Sequence, residues 1–412
     1  MQKQDNDIRQ LFQQEFTRTV AVISKQFGLT YIETAEDLVS ETFLQAAETW
    51  GMKGLPPNPV AWLYAVAKQK TLYHFRRDKI LQQKVLPAVK QAQEMQADPE
   101  EPDFSTKNIQ DSQLQMVFAV CHPIIPAEAQ IGLALRILCG FGIDEIADAF
   151  LTNKETINKR LFRAKEKLRE GNIDMEMPAH NEILKRLDSV WKVVYLLFNE
   201  GYYSRSQNDV LRKDLCLEAL RLGKLLADHE ATSLPTTHAL MALMCYHASR
   251  LEARTDSAGE LILYDQQDEA LWNRELIAQG DQYLHLSGAG NELSSFHLEA
   301  GIAFWHSRKE DSPEKWQRIL QLYDLLSRTN ASPAVALNRV YAIYRVQGAP
   351  SALSALEALT VPHDQYYHLL AGELYSTTDR QQARFHYEQA VLQTRVEAER
   401  VMLRKKIGQL NA

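Results

Sequence analysis

The 412-residue chain is 45% hydrophobic and 24% charged, ordinary for globular protein and long enough for two or three domains. Its formal net charge of −7 excludes a protein that coats nucleic acid by overall charge, so any such binding must come from local basic patches. No apolar run approaches membrane-spanning length, and the N-terminus MQKQDNDIRQLFQQEF has no apolar signal region, so a cytoplasmic location is expected.

Glycine, proline and period-two alternation are scarce, and the expected fold class is all-α. Phe12, Phe16, Val20, Ile23 and Phe27 place a first helix over residues 8–27, ended by Gly28. A second runs from about Thr34 to Trp50, with Val39, Phe43, Ala46 and Trp50 inward. Glu36, Asp37, Glu41 and Glu48 make it acidic, and Asp37, Ser40, Glu41 and Leu44 share one face. After the turn-rich GMKGLPPNP, Asn58 caps and Pro59 opens a third helix, PVAWLYAVAKQKTLYHFRRDK. Its first half is apolar. Its second half carries Lys68, Lys70, Arg76, Arg77 and Lys79 with Tyr73, His74 and Phe75 interleaved. Cations with aromatics at helical spacing suit distorted or single-stranded nucleic acid, since phosphates need charge and unstacked bases need π faces. A surface helix whose aromatics finish a small core has the same pattern, and the spacing leaves Tyr73 and His74 open between the two.

Residues 85–111 are polar, acidic and proline-punctuated, as expected of a flexible linker. Residues 112–171 read as a compact four-helix domain. Within it, GIDEIADAFLTNKETINKRLFRAKEKLRE (142–170) forms two helices joined by a turn at Leu151–Asn153, with Thr152 or Asn153 as cap. In the second of these helices, Ile157, Leu161, Ala164 and Leu168 make the buried stripe, and Lys159, Arg163 and Lys167 lie opposite. Seven Lys/Arg against two Glu between Lys154 and Arg169 give a local charge of +5. A basic helix held on a scaffold helix is the geometry of a helix-turn-helix entering a major groove; the alternative is an ordinary amphipathic hairpin with a solvated charged face.

Together these stretches resemble a bacterial RNA polymerase sigma factor of the extracytoplasmic-function type. AEDLVSETFLQA (35–46) is similar to the polymerase-clamp-binding helix of sigma region 2, and PVAWLYAVAKQKTLYHFRRDK to the helix that recognises and melts the −10 element. Residues 142–170 resemble region 4, which reads the −35 element. CHPIIPAEAQ, LLFNEGYYS and ELILYDQQDEALWNRELIAQG resemble the subgroup with a long C-terminal TPR-like extension. Two departures stand out: Lys68 occupies a position where many relatives have Arg, and Val120 precedes Cys121 where a second Cys is common.

The resemblance implies a division into residues 1–84 (region 2), 85–111 (linker), 112–171 (region 4) and 172–412 (TPR-like helical extension). It implies that Asp37, Leu38 and Glu41 contact core RNA polymerase, with Phe43 on the core side of that helix. It assigns Lys68, Lys70, Tyr73, His74, Arg76 and Arg77 to the −10 element, and Glu155, Thr156, Asn158, Lys159, Arg160, Arg163 and Lys167 to the −35 element. The implied partners are core RNA polymerase, promoter DNA, and a peptide or protein ligand of the extension, which is also expected to touch the sigma domains. No enzymatic activity is implied. A helix-turn-helix regulator that never docks on polymerase, and a helical scaffold, are the competing classes.

The last 230 or so residues read as eleven successive helices between about 182 and 409, joined by short loops that suit antiparallel neighbours. Tyr367, Leu370, Ala371, Leu374, Ala383, Tyr387 and Ala390 follow the spacing of one TPR unit. No HExxH, paired CxxC or glycine-rich phosphate loop occurs, so no metal or cofactor is expected. The four cysteines are widely spaced, as suits reduced buried thiols. Asn199, Glu200, His247 and Arg250 form a polar set that is either a satisfied buried network or a ligand pocket.

Overall fold

The computed structural model describes residues 2–85, 101–150, 152–202, 212–256, 262, 264–394 and 397–410. Over these residues the fold is all-α, with eighteen α-helices and no β-strand. The chain divides into two compact units, residues 1–193 and 194–412.

In the first unit, α1 (Gln2–Phe27) stops where Gly28 takes φ 88° and returns its N–H to Ser24 O at 2.8 Å. The same device ends α2 (Ile32–Lys53) at Gly54, φ 79°, a left-handed conformation that suits glycine. Asn58 Oδ1 accepts the Ala61 N–H at 3.0 Å to open α3 (Pro59–Val85). The three helices enclose Phe16, Ile23, Val39, Phe43, Trp50 and Leu63, the residues that helical spacing turned inward.

α4 (Thr106–Val120) begins before the domain limit expected at Ser112, because Ser105 caps it. Residues 106–111, expected as linker, are its first turns; residues 86–100 of that linker lie outside the described residues. α4 packs directly on α1. Lys25 Nζ reaches Asn108 Oδ1 at 2.8 Å, and Tyr64 stacks on Phe104 at 4.6 Å. The segments expected as two tethered bodies therefore form one packed unit.

α5 (Ala127–Leu133) continues into a π-helical stretch, Ala134–Leu138. α6 (Ile143–Ala149) and α7 (Lys154–Glu170) follow. Asn153 caps α7 by accepting the Thr156 N–H at 2.8 Å. Ile157, Leu161, Ala164 and Leu168 of α7 are buried. The unit extends past the limit expected at Gly171, into α8 (His180–Tyr202). There Arg186 donates to Phe118 O at 2.7 Å and lies over the Phe118 ring.

The second unit comprises the rest of α8 and ten further helices: α9 (Lys213–Asp228), α10 (Pro235–Ala248), α11 (Arg274–Ser287), α12 (Ser295–His306), α13 (Pro313–Thr329), α14 (Pro333–Gln347), α15 (Ala349–Glu357), α16 (Gln365–Tyr375), α17 (Arg380–Gln393) and α18 (Glu397–Gln409). From α9 to α18 each helix packs on the next in sequence. The apolar interior from α12 onward is split into several small clusters in series, as expected when each hairpin buries its face only against its neighbours. In the α16–α17 hairpin, Leu370, Ala371, Leu374, Ala383, Tyr387 and Ala390 are buried. Gly372 lets the Tyr387 ring lie flat on α16: a Cβ there would stand 2.6 Å from the ring. All four cysteines are free and buried. Burial pushes the thiols of Cys121, Cys216 and Cys245 up to about 12, so they stay protonated and inert.

Candidate nucleic-acid interface

Three exposed surfaces of the first unit carry the residues that sequence singled out. The outer face of α7 presents Glu155, Thr156, Asn158, Lys159, Arg163 and Lys167 to solvent. Lys159 pairs with Glu155 one turn back, at 2.6 Å. Neither Arg163 nor Lys167 has an ion-pair partner among the described residues, so both cations are available to phosphate oxygens. Phe162, next to Arg163 in the chain, is 60% exposed.

Arg160 departs from the expectation. It is half-buried, paired with Glu128 at 3.0 Å and laid over the Phe150 ring at 5.2 Å. Its position borders the buried stripe of Ile157 and Leu161, which turns the guanidinium toward the scaffold and away from the outer face. Lys165, also half-buried, turns further inward. It pairs with Glu36 of α2 at 2.9 Å, while Arg136 reaches the other oxygen of Glu36 at 3.0 Å. Glu36 is buried. This ion triad ties the helix-turn-helix to α2 across 129 sequence positions, and no sequence pattern could have found it.

On α3, Tyr73 is 69% exposed and Arg76 and Arg77 are exposed beside it, which places Tyr73 outside the core. His74 is half-buried, edge-on to Phe75. Phe75 is the core member of the aromatic run: it stacks on Phe27 at 3.5 Å and meets Tyr31 edge-on. Lys68 and Lys70 are held by Glu101 and by Glu41. Both pairs are substantially exposed, so each is worth well under about 1 kcal/mol and exchanges readily for another anion.

On α2, Asp37, Ser40, Glu41 and Leu44 are all exposed. Leu38, expected in the contact with polymerase, is buried and does not lie on that surface. The apolar member of the face is Leu44, 62% exposed, one turn beyond Ser40. Phe43 is in the core.

A different chemistry occupies the second unit. A cavity of about 740 Å³ is lined by His247, Arg250, Tyr264, His306, Trp316 and Tyr341 among others. Burial together with the nearby cations Arg250, Lys315 and Arg345 pushes His306 down to about 3 and keeps it neutral. Of the polar set expected around Asn199, Glu200, His247 and Arg250, only the last two line this cavity. Among the described residues no group of His, Cys, Asp and Glu is arranged to hold a metal ion, and no helix is long and apolar enough to cross a membrane.

Residues 186–288 match the model of a family of unknown function, DUF6596. Over 390 residues, 92% of this chain and 91% of the other, the chain is 31% identical to "Uncharacterized protein R00370" of Rhizobium meliloti (strain 1021). No solved structure matches it.

Proposed function

The chain belongs to the same family as that Rhizobium meliloti protein, and we propose that it is a sigma factor: a dissociable, non-enzymatic subunit that docks on core RNA polymerase and directs initiation at particular promoters. The observation that carries this is the outer face of α7. There, unpaired Arg163 and Lys167 stand beside Thr156 and Asn158 near the start of a helix clamped by its buried stripe. Residues near that start reach base edges and those further along meet backbone phosphates. The exposed Tyr73, Arg76 and Arg77 of α3 supply a stacking ring and two cations for an unpaired strand. The acidic face of α2, with Leu44 at its edge, suits a basic, partly apolar partner surface on polymerase.

Co-purification with core polymerase followed by run-off transcription from a linear promoter tests this. Promoter-dependent initiation is expected only when core enzyme and chain are both present. A chain that footprints duplex tightly by itself, and adds no initiation to core enzyme, would instead be a free-standing regulator. Arg163→Ala should weaken promoter binding and lower its salt slope by about one charge; an unchanged slope removes Arg163 from the contact surface.

The second unit regulates this activity. A chain ending at Val193 tests it: more transcription than full-length chain assigns inhibition, less assigns an activating role. Ending at Gly171 would confuse the result, because Arg186 of α8 packs on Phe118 inside the first unit.

A further inference from the structure

Two cations of the second unit are buried with no ion-paired carboxylate among the described residues. Arg250 is 8% exposed and Lys315 is 2% exposed. They lie on one ring, with the Arg250 guanidinium and the Lys315 ammonium each 5.3 Å from the centroid of Tyr264. Lys315 Nζ donates to Tyr264 Oη at 3.0 Å and to Arg308 O at 2.5 Å. Arg250 makes one long hydrogen bond, 3.4 Å to Tyr202 Oη, and packs on the Trp272 ring at 5.9 Å. Its Nε has no hydrogen-bond partner, and neither has Nδ1 of neighbouring His247. The carboxylates nearby bond to other groups or are exposed: Asp311, which acts on Lys315 without pairing with it, bonds to Trp316 and Arg345, Glu299 bonds to Tyr195, Glu373 to Tyr387 and Lys406, and Asp265 is an exposed residue of the cavity lining.

A desolvated cation without a counter-ion costs several kcal/mol. Such an arrangement persists where an anion completes it. Arg250 lines both the 740 Å³ cavity and an adjoining one of about 290 Å³, within the size range of small-molecule pockets. Beyond Arg250 the wall is aromatic and apolar at Tyr264, Trp316, Tyr341 and Leu370, and it also carries Lys406 and the carboxylates Asp265, Glu299 and Glu373.

We propose that this cavity binds a small organic anion, its carboxylate or phosphate group held by Arg250 and its apolar body lying along the aromatic wall. The guanidinium fork supplies paired charge-assisted hydrogen bonds to either head group, and the unpartnered His247 Nδ1 adds a further polar contact. The site is independent of whether the first unit binds promoters.

Titration calorimetry on the full-length chain, with benzoate, phenyl phosphate and benzyl alcohol at constant ionic strength, tests it. Saturable binding of one or both anions, one per chain, is expected, and no binding of the neutral alcohol; the preferred anion identifies the head group. Arg250→Gln should weaken anion binding by about tenfold or more, and Arg250→Lys, which keeps the charge but loses the fork, by less. In the absence of anion, Arg250→Met should melt no lower than the unmodified chain, since it removes an uncompensated charge and keeps the side-chain length. Failure of both anions to bind up to about 10 mM, equal binding by the Arg250→Gln chain, or equal binding of benzyl alcohol overturns the proposal.

Discussion

The two units use the same charged residue types in opposite settings. In the first, the cations of interest stand in water: Arg163 and Lys167 on α7, Arg76 and Arg77 on α3. In the Glu36–Lys165–Arg136 triad, where cations are drawn inward, a carboxylate meets both of them. In the second unit Arg250 and Lys315 are buried, and among the described residues no carboxylate pairs with either. Solvated charge costs little and acts at a distance on a polyanion. Buried charge acts on whatever completes it, at short range and with geometric selectivity. On the two proposals made above, the contrast separates a surface for a large, charged partner from a pocket for a small one.

The largest expected effect tests the exception in the first unit. Glu36→Gln leaves Arg136 facing an uncharged amide and Lys165 with only the exposed Glu33 at 3.6 Å, and should lower stability by about 3 kcal/mol in denaturant unfolding. A loss below about 1 kcal/mol would mean that water reaches the triad and that α7 is not tied to α2 by charge.

Next in size is Gly372→Ala in the second unit. Helix propensity alone favours the change by about 1 kcal/mol. The new Cβ would meet the Tyr387 ring at 2.6 Å, and Tyr387 is fixed by its bond to Glu373 at 2.9 Å. Overpacking should win, with a net loss of about 2 kcal/mol; stabilisation would show that the hairpin yields easily.

The third test is acidity. His306 has its folded value pushed from 6.5 to about 3, so on acidification the unfolded chain takes up a proton that the folded chain refuses. Stability contributed by the neutral ring is therefore present above pH 6.5 and lost progressively as pH falls from about 6.5 toward 3. His306→Gln should flatten thermal melts over that interval, and an unchanged pH dependence would place the ring in water. The smallest effect belongs to the exposed face of α7, where Arg163→Ala should leave the melting temperature unchanged while altering the salt dependence of promoter binding.

Most of the fold was legible. The stripe Ile157, Leu161, Ala164 and Leu168 is buried as its spacing required, and the eleven helices expected after residue 180 all occur, several to within a residue or two of their expected limits. The site was legible where it depends on one helix: the exposure of Lys159, Arg163 and Lys167 follows from the burial of the opposite face. It was illegible where it depends on a neighbour. Helical spacing put Leu44 on the acidic face of α2, where it is exposed, whereas Leu38, assigned to the polymerase contact by the resemblance, packs into the core. Arg160 sits among seven cations that look alike in sequence, yet Glu128 and Phe150 hold it against the scaffold.

By itself, then, the sequence determined the helices, their inward faces and the local basic charge of α7, because helix formation and amphipathicity are set by residues within a few turns of one another. The tertiary structure alone decided that α4 packs on α1, that Glu36 gathers Lys165 and Arg136, and that Arg250 and Lys315 share the ring of Tyr264. Desolvation and charge pairing depend on which distant groups arrive within a few ångströms, and helical periodicity carries no record of that.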